Sequence, residues 1–88
     1  MIQIEYKIEN ASGLHARPAS VLVKEASAHQ ADIMLVKNDK KVNCKSIMGI
    51  LSAGIKQGDE VKFEIEGEDE TTVSERFREF LNDSFKTV

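Results

Sequence analysis

This 88-residue sequence predicts an α+β fold, a single antiparallel sheet with helices packed on one face and water on the other. Three observations carry that reading. Ile2, Ile4, Tyr6 and Ile8 alternate with Gln3, Glu5, Lys7 and Glu9, and Val61, Phe63 and Ile65 alternate with Glu60, Lys62, Glu64 and Glu66. A period of two with one apolar side marks strands that bury a single face. Between those strands, the apolar segments around Ile33-Met34-Leu35 and Val42-Asn43-Cys44 flank Asn38-Asp39-Lys40, a turn composition that predicts a hairpin. Three further segments carry apolar residues at helical spacing.

In chain order, the first strand is followed by Asn10-Ala11-Ser12-Gly13, a loop by composition. Pro18 then marks a helix that begins near Ala16, because proline fixes φ and lacks an N–H that a helix start leaves unpaired anyway. From Ala16 to about Ala28, Ala19, Leu22, Val23 and Ala26 form one stripe for the sheet. His29, at the far end, reads as a surface or C-terminal-turn residue. Met34 and Val36 make the second strand apolar on both faces, which places it towards the middle of the sheet or partly under cover. Cys44 reads as a small core hydrophobe. Ser46 precedes the short apolar run Ile47-Met48-Gly49-Ile50-Leu51 and is a favoured N-cap. Gly54 and Gly58 punctuate the next connection, and Gly67-Glu68-Asp69 closes the last strand. Val73, Phe77, Phe80, Leu81 and Ser84, with Phe85 adjacent, predict a C-terminal helix. Asp69 or Glu70 near its start and Arg76, Arg78 and Lys86 further along suit its dipole.

The bounds are narrow. A chain of this length forms one domain, residues 1–88, with a modest core. Twelve basic against fifteen acidic residues give a net charge of −3, which argues against non-specific nucleic-acid binding. One cysteine excludes an internal disulfide and a cysteine-based metal site, as in a reducing compartment. No apolar run spans a bilayer and the first residues are unlike a signal peptide, so a cytoplasmic location without membrane insertion is expected. Neither a metal nor a cofactor is called for by any motif.

Gly13-Leu14-His15-Ala16-Arg17-Pro18-Ala19 is where chemistry concentrates. Gly13 supplies a sharp turn or a close backbone approach. His15 is expected at the helix cap, beside free backbone N–H groups and the positive end of the helix dipole, a natural anion site. Arg17 adds a planar, permanently charged fork for phosphate oxygens. The same positive field disfavours imidazolium, so His15 is expected to be neutral near pH 7 with a lone pair available for attack. Ser12 stands at the rim. By itself, this spacing also fits an ordinary polar helix cap.

With Lys45-Ser46-Ile47-Met48-Gly49 following in order, the whole chain resembles HPr, the histidine-containing phosphocarrier family of the bacterial phosphoenolpyruvate:sugar phosphotransferase system, in its low-GC Gram-positive form. The resemblance implies an open-faced β-sandwich, βαββαβα, with strand order 1-4-2-3. It implies that His15 accepts a phosphoryl group on Nδ1 from Enzyme I and hands it to Enzyme II A domains. Ser12, Ala16, Arg17 and Pro18 would surround the phosphate. It also implies regulatory phosphorylation of Ser46 by a bifunctional HPr kinase/phosphorylase that reads Ile47 and Met48, and a catabolite-control transcription regulator that binds the product. A phosphate on Ser46 would sit at a helix N-terminus, where its charge is tolerated. Ile47 and Met48 cannot both face inward along with Ile50 and Leu51, so Ile47, Met48 and Leu51 are expected to supply an exposed docking patch. The protein is expected to be a monomer and a carrier without turnover of its own. The family's regulatory paralogue has glutamine in the acceptor position, so His15 favours the carrier. Ala53 and Cys44 stand where leucine is common in relatives, a matter of packing. A purely regulatory binding module and a stand-alone enzyme are the rival readings. The enzyme is disfavoured by the absence of a paired general base and of a nucleotide-binding loop.

Overall fold

A computed structural model describes residues 1–11, 13–14 and 16–88, apart from the side chain of residue 87. Strands β1 (Ile2–Lys7), β2 (Asp32–Lys37), β3 (Lys40–Asn43) and β4 (Glu60–Glu66) alternate with helices α1 (Ala16–Ser27), α2 (Ile47–Ser52) and α3 (Glu70–Asn82), and a 3-10 turn follows at Phe85–Thr87. The four strands form one antiparallel sheet in the order β1-β4-β2-β3. This is the predicted element order and the predicted strand order.

Period-two patterning becomes a layer once the register is set. Ile4 pairs with Phe63, Phe63 with Leu35 and Leu35 with Val42, so one apolar row crosses all four strands. Ile2, Ile65 and Ile33 form the next row. A slip of one residue in any strand would turn its apolar set to water, so the core itself fixes the register. The helices cover these rows with Ala19, Leu22 and Ala26 of α1, Ile50 of α2 and Val73, Phe77 and Leu81 of α3, all buried. The opposite face carries Gln3, Glu5, Lys41, Lys62 and Glu64, with Lys41 Nζ 2.7 Å from Glu64 Oε1. Met34 and Val36 are half-buried on that open face, and β2 is an interior strand as its double apolarity predicted.

The hairpin turn is the two-residue loop Asn38-Asp39 between the paired Lys37 and Lys40. Asn38 adopts φ 53°, a left-handed conformation that asparagine accepts more readily than most residues. Ser46 caps α2 as expected, its Oγ accepting the Gly49 N–H at 3.2 Å.

The start of α3 carries one of the two expected acids, Glu70, in its first turn, and its end departs from expectation. Asp69 is the N-cap residue but makes no side-chain cap bond. Instead Glu70, one position later, reaches back so that its Oε1 accepts the Gly67 N–H at 3.2 Å. The last turn of α3 holds no basic residue, because the helix stops at Asn82 and leaves Arg76 and Arg78 too far from its end to complement the dipole. Ser84 lies beyond the helix and is exposed, while Phe85 folds back into the core through the 3-10 turn. β1 likewise ends at Lys7, although Ile8 stays fully buried, its N–H donating to Asp59 O and its carbonyl accepting from Gly58 N–H.

Aromatic residues concentrate at one end of the core. Phe77 meets Phe63 edge-on with ring centroids 5.1 Å apart, and Phe80, Phe85 and Tyr6 extend the chain of rings. Tyr6 adds a hydrogen bond from its hydroxyl to the Leu81 carbonyl at 3.1 Å, and burial raises its pKa above the ordinary tyrosine value. Phe77 is completely buried, so Phe77→Ala should cost about 3–5 kcal/mol in urea denaturation. A loss below about 1 kcal/mol would mean that the cluster relaxes to fill the space.

Candidate functional site

The approach to α1 is built against the connection between α2 and β4. The Gly13 N–H donates to Asn10 O at 2.9 Å, closing a tight turn, and the Leu14 N–H donates to Ile55 O at 3.0 Å. Gly13 takes φ +68°, and a Cβ there would lie 2.5 Å from Ile55 O and 2.8 Å from Lys56 Cα. Only glycine satisfies both the left-handed backbone and the close approach. Leu14 is buried, which seats the chain on the core just before the helix begins at Ala16.

The wall behind Gly13 is itself clamped. Asp59 Oδ2 accepts the Lys56 N–H at 2.8 Å and pairs with Lys37 Nζ at 2.7 Å. Lys37 also donates to Gly54 O at 3.4 Å. These contacts, led by the Lys37 ammonium and then the Lys56 N–H, hold the Asp59 carboxyl below its ordinary pKa.

On α1, Ala16 and Arg17 are exposed, whereas Pro18 and Ala19 are buried. Arg17 makes no ion pair with any described residue. No acidic residue occupies the first turn, so the N-terminal backbone amides and dipole are not met there by a carboxylate of the helix itself. Pro18 has no N–H to offer, so its part is to set the backbone of the first turn rather than to hold an anion. The remaining members of the expected phosphate site, His15 and Ser12, lie outside the described residues.

α2 packs against α1, and the segment between β3 and α2 ties the two helices together. Lys45 Nζ donates to His29 O at 2.8 Å, satisfying a carbonyl just past the end of α1. His29 itself lies in the turn after α1, with Nε2 2.9 Å from Glu25 Oε2, and its side chain is more covered than a surface reading implies. Ser46 is half-buried, and its N–H donates to Asn43 O at 3.0 Å. Met48 is 74% exposed and Leu51 41% exposed, while Ile50 is buried. Ile47 departs from the expected patch, since it is half-buried and packs on the core. A six-residue helix with Ile50 inward turns Ile47 partly inward as well, which leaves Met48 and Leu51 as the apolar surface. Burial pushes the Cys44 thiol up to about 12, so it is an inert packing group.

Sequence reasoning missed one residue of this region. Asn10 is 2% exposed and its side chain binds the C-terminal segment. Its loop composition concealed it, because no local pattern shows that a polar loop residue will be covered from the other end of the chain.

The described part of the site is a helix start with no acid in its first turn, an adjoining exposed arginine and a rigid glycine turn, an arrangement suited to an anion. The family model described as "PTS HPr component phosphorylation site" matches residues 2–83. The chain is 39% identical over 83 residues to the HPr-like protein Crh of Bacillus subtilis, covering 94% of this chain and 98% of that one. It superposes on an HPr-C-His crystal structure from Thermoanaerobacter tengcongensis with a TM-score of 0.88 at 42% identity, over 97% of this chain and 96% of that one. A crystal structure of an HPr dimer from the same organism matches with a TM-score of 0.72 at 42% identity, over 97% and 98% of the two chains. The chain belongs to the HPr family of phosphotransferase-system phosphocarriers. Members of this family carry a phosphoryl group and do not turn over substrate, and the family implies Enzyme I and Enzyme II as partners. A dimer among such similar structures leaves the expected monomer without support. Among the described residues, no helix is long and apolar enough to cross a membrane.

The Asp59 clamp has a signed pH dependence. A carboxylate whose pKa is lowered by folding stabilises the fold above its ordinary value of 3.8, and that contribution disappears as pH falls through the depressed folded value. Asp59→Asn should therefore lower the urea midpoint at neutral pH, and the gap from the parent should narrow well below pH 3.8. A gap that is constant across the titration would show that the clamp does not depend on charge.

Proposed function

We propose that the protein relays phosphoryl groups through His15. A ring nitrogen of His15, Nδ1 by family resemblance, attacks phosphorus on phosphorylated Enzyme I. The new N–P bond forms as the bond to the donor breaks, and the reverse exchange passes the group to an Enzyme II A domain. The protein's share in such transfers is positioning and charge stabilisation. The observation that carries the reading is the α1 start: exposed Ala16 and Arg17, no acid in the first turn, and a rigid Gly13-Leu14 approach. Arg17 supplies a charged fork for the phosphoryl oxygens, and the helix-start amides supply donors. Ser12 adds a hydroxyl at the rim. A phosphohistidine retains high transfer potential, which suits relay between protein partners in the cytoplasm.

Regulation is assigned to Ser46. Phosphorylation there by an HPr kinase/phosphorylase adds charge beside Met48 and Leu51, the exposed apolar surface that partners would cover. A catabolite-control transcription regulator would read the modified form. Similarity to Crh favours a second reading, in which the protein acts through Ser46 alone. His15 separates the two, because the regulatory paralogue carries glutamine in the acceptor position. Mass spectrometry that preserves acid-labile phosphate would distinguish them in cells.

Incubated with Enzyme I and phosphoenolpyruvate, the protein should acquire one alkali-stable, acid-labile phosphate, and His15→Ala should abolish it with the circular dichroism spectrum unchanged. Stoichiometric acid-labile labelling of that variant would overturn the assignment. Ser46→Asp should retain the cap, since aspartate is as good an N-cap as serine. It should nevertheless slow acceptance from Enzyme I by about tenfold or more, equivalent to about 1.4 kcal/mol of lost binding or transition-state interaction. Equal rates for the two proteins would remove the regulatory role.

A further inference from the structure

We propose that Asn10 is a positioning residue for phosphoryl acceptance, holding the Gly13-Leu14 turn in register by tying it to the C-terminal segment. Asn10 is 2% exposed, and its Nδ2 donates to Phe85 O at 2.9 Å and to Val88 O at 3.1 Å. Its own carbonyl accepts the Gly13 N–H at 2.9 Å. One residue therefore has its side chain fastened to the far end of the chain and its main chain fastened to the turn that enters α1. Phe85 is completely buried against Tyr6 and Phe80, which makes its carbonyl a rigid anchor. On the other side of the turn, Leu14 N–H is held by Ile55 O. Gly13 is thus gripped from both sides, and Asn10 is the grip that a single side chain provides.

Burial of this amide is costly unless it is used. Asn10 Oδ1 is buried without a hydrogen-bond partner among the described residues, a cost that an apolar residue would avoid. The two bonds from Nδ2 offset it, and their product is the fixed position of the turn. A partner protein cannot touch a side chain so covered, so any effect of Asn10 on transfer must pass through the loop.

The inference rests on the relay reading, and the test separates the two. Initial rates of phosphoryl acceptance from Enzyme I would be measured for the parent, His15→Ala, Asn10→Ala and Ile33→Val, the last being a buried core substitution in the Ile2-Ile65-Ile33 row, at the end of the sheet away from the loop after β1, that serves as a stability control. Asn10→Ala should lower the maximal transfer rate about tenfold or more, in keeping with the sensitivity of transfer to small displacements, and should leave the KM for this protein unchanged. The Gly13 amide should exchange faster with solvent and shift in the NMR spectrum. Ile33→Val should lower the urea midpoint without changing the transfer rate. An unchanged maximal rate for Asn10→Ala, or an equal fall for Ile33→Val, overturns the proposal while the parent's labelling leaves the relay intact. Absence of labelling in the parent, by contrast, removes the relay and the positioning role with it.

Discussion

The left-handed turn at Gly13, pressed against the Ile55 and Lys56 backbone, is the constraint on which the site depends. It is where three separate parts of the fold meet. β1 delivers the loop, the connection after α2 supplies the wall and α1 begins three residues on. A side chain at Gly13 would push the wall away by more than a hydrogen bond tolerates, since Leu14 N–H and Ile55 O are only 3.0 Å apart. The wall is kept from yielding by the Lys37–Asp59 pair and the Lys56 N–H bond, so the hairpin end of the sheet buttresses the entrance to a helix on its covered face. A domain this small has little core to spare for holding a loop, and hydrogen bonds from neighbouring connections take that role.

α2 shows the opposite balance. A helix of six residues is too short to stand alone, because nucleation costs more than so few bonds return. Ser46 Oγ satisfies one end, Ile50 buries one side, and Lys45 fastens the entry to the carbonyl after α1. With these anchors spent on a single face, Met48 and Leu51 remain in water. Their exposure is a geometric remainder of a short helix with one inward position, and a flexible thioether is well suited to a surface that meets more than one partner.

Most of the fold was legible in the sequence because its signals are local. The alternation in β1 and β4, the Asn38 turn, Pro18 and the Ser46 cap each act within a few residues, and each element appeared where those residues predict it. What was not legible depends on contacts between distant segments. Asn10 looks like a loop residue and is buried only because Phe85 and Val88 return to it. Ile47 is drawn inward by the core beneath α2. At the start of α3 the sequence offered Asp69 or Glu70, and the structure puts Glu70 in the first turn, while no basic residue reaches the last turn because the helix stops at Asn82. At the candidate site, the motif of glycine, proline and arginine was readable, whereas the wall behind it was not, because Ile55 and Asp59 carry no pattern of their own.

The contrast between the two long helices gives the strongest electrostatic argument. α3 has Glu70 in its first turn, where a carboxylate accepts a backbone N–H and meets the positive end of the dipole. α1 has none, and carries an exposed arginine there instead. An acid at such a position stabilises a helix by about 0.3–1 kcal/mol, so α1 forgoes an interaction that α3 uses and adds a like charge to its own N-terminus. Stability alone offers no reason for that choice in a protein with so small a core. The proposed relay supplies one: a transient phosphoryl group would take the place that a carboxylate would otherwise fill, and leaving out the carboxylate would keep that place open between transfers.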